Sequence, residues 1–117
     1  MPTITWFNIP AAETERARAF YEAAFAWEIE PFPGMESAFL VTTGGVDGEI
    51  FPRARPDETV TVFIGVPSID EYVARIKRAG GEVVVSKTPV PGRGYFAIFR
   101  DTERNQLGLW EDDSGVG

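Results

Sequence analysis

The chain has 117 residues, 44% of them hydrophobic and 13% aromatic, carries a net charge of −7, and contains neither histidine nor cysteine. That length and apolar content suit a single globular domain and exclude a disordered segment. The acidic balance argues against nucleic acid and anionic membranes as partners. The missing residues exclude disulfides, thiolate nucleophiles and histidine-dependent triads.

Ile4 to Ile9 is β-branched and aromatic, ends at Pro10, and is predicted to be a strand. Residues 13 to 25 then show helical spacing, with Ala17, Phe20, Tyr21 and Ala24 on a dry face and Glu13, Glu15, Arg16, Arg18 and Glu22 on a wet one. Trp27 to Phe32 returns to strand alternation, and Pro31-Phe32-Pro33-Gly34 turns the chain. Strands follow at Ala38 to Thr43 and, with poorer alternation, around Gly48 to Phe51. Pro52 to Pro56 is the expected linker, and charges there such as Arg53 and Arg55 read as ordinary loop charges.

The second half repeats the plan. Val60 to Val66 is predicted as a strand, and Ser68-Ile69-Asp70-Glu71 has the S-x-x-E pattern that opens a helix. Ile69, Tyr72, Val73 and Ile76 form its apolar face, and Gly80-Gly81 ends it. Glu82 to Val85, Tyr95 to Arg100 and Gln106 to Glu111 supply three further strands, with Asp101 to Asn105 as the turn between the last two.

The order βαβββ–βαβββ predicts an α+β domain of two modules, about 1–56 and 57–117, as an incomplete eight-stranded barrel around a cleft. Alternation assigns the faces. Phe7, Ile9, Val60, Val62, Ile64, Val66, Leu107 and Leu109 are expected beneath the helices. Trp6, Asn8, Thr61, Phe63, Gly65, Gly108 and Trp110 are expected on the cleft side.

Three segments carry a resemblance: ITWFNIPAAETERARAFYEAAFAWEIE, IDEYVARIKRAGGEV and GYFAIFRDTERNQLGLWE. Together, in this order and spacing, they resemble the vicinal oxygen chelate superfamily of glyoxalases, extradiol dioxygenases and bleomycin-resistance proteins. The resemblance implies metal ligands on the first and last strand of each module. Carried over by spacing, those positions fall on Trp6, Thr61, Gly108 and, by the repeat, Gly48. None of these side chains holds a divalent cation firmly, so no metal and no cofactor is expected. A register shift of one or two residues would bring in Asn8, Glu49 or Glu111, but parity places Glu49 and Glu111 opposite the glycines. Arg104 stands where the superfamily's closing turn commonly has glycine, at a cost of about 1 kcal/mol if that position needs a positive φ.

In place of a metal site the sequence offers an aromatic cleft. Trp6, Phe63 and Trp110 would stack on a ligand, Asn8 and Thr61 would orient it, and Gly48 and Gly108 would leave room. The same rings filling the barrel as core is the competing reading. Tyr95 and Phe99 either extend the lining or pack at a dimer contact. Gly92 to Ala97 formally matches G-x-G-x-x-A, but a β-rich run follows where a helix is required. The pairs Glu28/Glu30 and Asp112/Asp113 read as solvated surface.

The expected function is metal-free binding of a small apolar or aromatic molecule, with no catalytic residue assigned. The alternative is a metal-dependent lyase, isomerase or dioxygenase with a displaced site using Glu49 and Glu111. The resemblance implies a homodimer. Because no signal peptide or membrane span is visible, a cytoplasmic location is the expectation.

Overall fold

The computed structural model describes residues 1–116. In chain order the elements are β1 (Thr3–Ala11), α1 (Thr14–Phe25), β2 (Glu28–Pro31), β3 (Phe39–Thr42), β4 (Asp47–Pro52), β5 (Thr61–Gly65), α2 (Ile69–Arg78), β6 (Glu82–Val90), β7 (Gly94–Arg100) and β8 (Gln106–Asp112). This is the expected βαβββ plan, run through twice in an α+β chain. Two compact units result: Trp6 to Thr61, and Val62 onward together with Met1–Thr5.

In the first unit the strands lie in the order β2-β3-β4-β1, with β1 and β4 parallel and the other pairs antiparallel. Register aligns Phe7, Gly48, Val41 and Ile29 in one row across the sheet, and Ile9, Ile50 and Phe39 in another. Those rows face α1. Ile29, Phe39, Val41, Ile50 and Ala11 form the buried core, against which Phe7, Ile9, Ala17, Tyr21 and Trp27 pack. Burying such side chains supplies the main stabilisation, roughly 1.5–3 kcal/mol for each large aliphatic or aromatic one.

Helix α1 is less well anchored than its spacing predicts. Ala17 and Tyr21 reach the core, but Phe20 remains 59% exposed and Ala24 is also on the surface. The expected dry face is therefore too wide by one row. Phe20 packs edge-on against Tyr21 instead, and Phe25 stacks on Trp27. The N-cap residue Glu13 makes no side-chain cap, and the helix ends at Ala26 in the left-handed region, φ +57°.

In the second unit the order is β5-β8-β7-β6, with β5 and β8 parallel. Helix α2 contributes Ile69, Tyr72, Val73 and Ile76 to a core shared with Val66, Ala97, Phe99 and Leu109 and with Ile64, Tyr95 and Leu107. Ile64, Val66, Leu107 and Leu109 thus lie under the helix as expected, whereas Val60 precedes the strand and is 55% exposed. Tyr95 and Phe99 belong to this helix-side core. They share strand parity with Ala97, which corrects the reading that they extend the cleft lining.

Strand β6 runs to Val90 where the sequence suggests an end at Val85. Its pairing with β7 is irregular between Val83 and Thr88, and it includes Pro89, which an edge strand tolerates because one side of its backbone lacks a partner. The turn from β7 to β8 is built by Asp101, whose carboxylate accepts from the backbone N–H groups of Glu103 (2.8 Å) and Asn105 (2.9 Å). Those bonds hold Arg104 at φ +66°, the left-handed conformation anticipated for that position.

Candidate functional site

Each unit turns one sheet face away from its helix, and the predicted site residues are best located on those faces. In the first unit Asn8, Glu49, Leu40 and Glu30 form a row across the sheet, and Trp6 pairs in register with Asp47. The Trp6 indole Nε1–H donates to Asn8 Oδ1 at 2.8 Å. Successive alternate residues of a strand share a face, which makes this i, i+2 bond possible. The buried Phe32 meets the Trp6 ring edge-on at 6.5 Å between centroids.

Gly48 is not on this face. Register places it in the row of Phe7 and Val41, beneath α1. An added Cβ would collide with the Phe7 ring and carbonyl. Gly48 therefore accommodates a core phenyl ring and leaves no room for a ligand, which corrects the expectation for that residue. The β4 side chain beside Asn8 is Glu49, with one carboxylate oxygen withdrawn from solvent. Ile50 carried the signal: it has the parity of Gly48, and a buried Ile marks the helix side.

In the second unit Phe63, Gly108, Ile98 and Val85 form one row, and Gly65, Trp110, Phe96 and Thr88 the next. Gly108 does lie on the helix-free face, but the Phe63 ring occupies the space above it and would collide with any Cβ. The room expected at Gly108 is filled by that ring, a second correction. Thr61, two residues before Phe63 on β5, is buried. Trp110 donates its indole N–H to Asp112 Oδ1 at 2.6 Å, repeating the i, i+2 bond of Trp6. Phe96 and Ile98, which the sequence reading passed over, add half-buried apolar surface beside Trp110 and Gly108. Their strand is apolar at both parities, so alternation gave no cue.

Glu111 faces the other way. Its Oε1 accepts from the backbone N–H of Ile69 at 2.7 Å, where α2 begins. Ser68 Oγ accepts from Glu71 N–H at the same end, 3.2 Å. A carboxylate at a helix N-terminus satisfies an otherwise orphaned donor and complements the helix dipole. Lys87 completes the group, hydrogen-bonded to Asp70 at 3.2 Å, 3.9 Å from Glu111, and 4.4 Å from the centre of the Tyr95 ring. The bond to Asp70 raises the Lys87 pKa above its ordinary 10.5 against a smaller desolvation effect, and the charge of Glu111 adds to the rise.

These residues do not fit the divalent cation that the resemblance implies. With imidazole and thiolate missing, such an ion would need several carboxylates. In the first unit Glu49 is the carboxylate beside Asn8, and Asp47 Oδ1 is bonded to the Thr43 N–H at 3.0 Å. In the second unit a phenyl ring fills the place at Gly108, and Glu111 is committed to α2. Among the described residues no three acidic side chains gather as ligands. Nor is any helix there long and apolar enough to cross a membrane.

Comparison with known proteins points in one direction. The family description "Bleomycin resistance protein-like N-terminal" matches residues 3–44. A glyoxylase-like domain-containing protein of Didymella fabae is 30% identical, over 87% of this chain and 88% of its own length. The anthracycline biosynthesis protein DnrV of Streptomyces peucetius is 25% identical over 90% of this chain, which spans about half of that relative, 45%. Among solved structures, a glyoxalase/bleomycin resistance protein/dioxygenase superfamily member from Vibrio splendidus superposes with a TM-score of 0.70. It is 12% identical, with 97% of this chain and all of that one covered, a likeness of fold.

Proposed function

The chain belongs to the glyoxalase/bleomycin-resistance group of the vicinal oxygen chelate superfamily, and on that premise we propose that it binds a small aromatic or apolar molecule without a metal ion. The observation that carries this reading is the make-up of the helix-free faces. They present half-buried Trp6 with Asn8 in one unit, and half-buried Phe96, Ile98 and Trp110 in the other beside Phe63, which is itself buried. Indole and phenyl faces bind planar molecules through dispersion and offset stacking, at roughly 0.5–1.5 kcal/mol per ring pair beyond area burial. Both indole N–H groups are already bonded within their own strands, which leaves the rings as stacking surfaces. Asn8 and Thr61 supply polar atoms to orient the ligand. A relative named for anthracycline biosynthesis supports an aromatic ligand, since anthracyclines are fused-ring aromatics.

Capture of this kind makes and breaks no bond. The reading takes the protein to act in the cytoplasm, as a homodimer, on a small molecule, with neither nucleic acid nor membrane as partner. Titration of tryptophan fluorescence with planar aromatic compounds tests it: saturable quenching is expected, lost in Trp6→Leu and Trp110→Leu. Glu49 beside Asn8 is the residue a metal-dependent alternative would use. Metal analysis of protein purified without chelator decides between the two, and near-stoichiometric bound metal that disappears in Glu49→Gln would overturn the metal-free reading.

A further inference from the structure

The bond between Trp6 and Asn8 fixes more than the indole. An indole Nε1–H only donates, so the Asn8 atom 2.8 Å from it must be the amide oxygen. The orientation of this amide is thereby set by chemistry: Oδ1 turns toward Trp6 and Nδ2, with its two hydrogens, points away. Asn8 is half-buried and lies on the helix-free face beside Glu49. Whatever stacks on Trp6 meets the Asn8 Nδ2 hydrogens as donors, while Oδ1 already accepts from the indole.

We infer that Asn8 determines specificity, its amide N–H groups selecting aromatic molecules that carry an acceptor oxygen, a ring carbonyl above all, at the edge of the ring. This deepens the reading of the first unit as an aromatic-binding face and rests on it. The indole supplies area with little discrimination, since every planar ring has a face to stack. Discrimination comes from a polar group that loses its water on binding and must be repaid by a partner. A ligand without an acceptor strips water from Asn8 Nδ2 and returns nothing. One with a carbonyl restores the bond, and the Trp6 bond makes it cheaper by holding the amide in place beforehand. Trp110 offers no counterpart: its i+2 partner is the Asp112 carboxylate, which has no hydrogen to give.

The test uses calorimetric titration of the full chain with matched pairs of planar compounds that differ in the acceptor. Coumarin against naphthalene is one such pair, and flavone against 2-phenylnaphthalene another. The acceptor-bearing member should bind the wild-type protein about tenfold more tightly. Asn8→Asp keeps an oxygen for the Trp6 N–H but removes the outward donor. It should erase the preference, read as a ratio of the two affinities that falls to about one. A role limited to holding the indole would leave the preference intact in that variant, because the indole remains held. Equal binding of both members by the wild type, or a preference that survives Asn8→Asp, overturns the inference and leaves aromatic capture standing. No binding of either member of either pair sinks the capture reading itself, and Asn8 selectivity with it.

Discussion

The two units apply one device to opposite ends. In each, a phenylalanine on the first strand lies over a glycine on the parallel last strand: Phe7 over Gly48, and Phe63 over Gly108. A ring above a cross-strand glycine covers exposed backbone and fills the space that a side chain would take. In the first unit the pair sits beneath the helix and builds core. In the second it sits on the helix-free face and builds an aromatic floor beside Trp110. The remaining faces diverge accordingly. The first unit turns Asp47, Glu49, Glu28 and Glu30 away from its helix along with Trp6 and Asn8, whereas the second turns Phe63, Phe96, Ile98 and Trp110. A repeated topology therefore does not carry repeated chemistry, because a shift of one residue in strand parity exchanges core for surface.

The sharpest way to break this contrast is to overfill each glycine. Gly48→Ala and Gly108→Ala should each cost about 1–3 kcal/mol, read as a lower urea midpoint. They should part company in ligand titrations. Gly108→Ala displaces Phe63 and should weaken aromatic binding severalfold, while Gly48→Ala displaces a core ring and should leave affinity unchanged at temperatures where the protein stays folded. Equal effects on binding would abolish the division of faces.

The helices sharpen the comparison next. The start of α2 is capped by Ser68 and Glu111, whereas α1 begins at Glu13 with no side-chain cap. Glu111→Ala should destabilise by about 1–2 kcal/mol, since it orphans the Ile69 N–H. Glu13→Ala should stay within about 0.5 kcal/mol, because its ion pair with Arg16 is exposed. Smaller gains are expected where non-glycine residues hold positive φ, Ala26 at the end of α1 and Arg104 in the β7–β8 turn. Ala26→Gly and Arg104→Gly should each raise stability by about 0.5–1 kcal/mol in the same denaturation experiment.

The smallest effect depends on pH. The Lys87 pKa is raised in the folded protein, so its contribution is complete below the ordinary 10.5 and fades as pH climbs through the higher folded value. Lys87→Met should therefore lower the unfolding midpoint at neutral pH and converge with wild type in strong alkali. Asp101 has the opposite sign. Its bonds to Asn105, the backbone N–H foremost, hold its pKa below the ordinary 3.8 against a smaller desolvation effect. The stability it confers is complete above 3.8 and disappears as pH falls through the folded value, so Asp101→Asn should match wild type only in strong acid.

Much of this architecture was legible in the residues. Every element was placed by alternation, helical spacing or turn chemistry, the Ser68 cap follows from local pattern, and the positive φ of Arg104 was signalled by the resemblance, which puts glycine there. What stayed hidden concerns faces. Gly48 has no side chain to reveal its direction, and the cue from Ile50, two residues on, was masked by the poor alternation of the strand. Tyr95 to Phe99 is apolar at both parities, so only packing separates Phe99 in the core from Phe96 on the other side. Helix α1 misled for a related reason. Phe20 has the spacing of a buried residue, but a sheet whose edge strand β2 is four residues long does not reach it. The indole bonds of Trp6 and Trp110 were visible in principle, since an oxygen-bearing residue follows each by two along a strand.

The ring lodged over Gly108 also couples two positions. Placing a carboxylate there in one step would drive the new side chain into Phe63, while first trimming the buried Phe63 to alanine would open a void worth about 3–5 kcal/mol. Each single change is handicapped although the doubly changed chain need not be, a sign epistasis between Phe63 and Gly108. Neither position is free to change without the other.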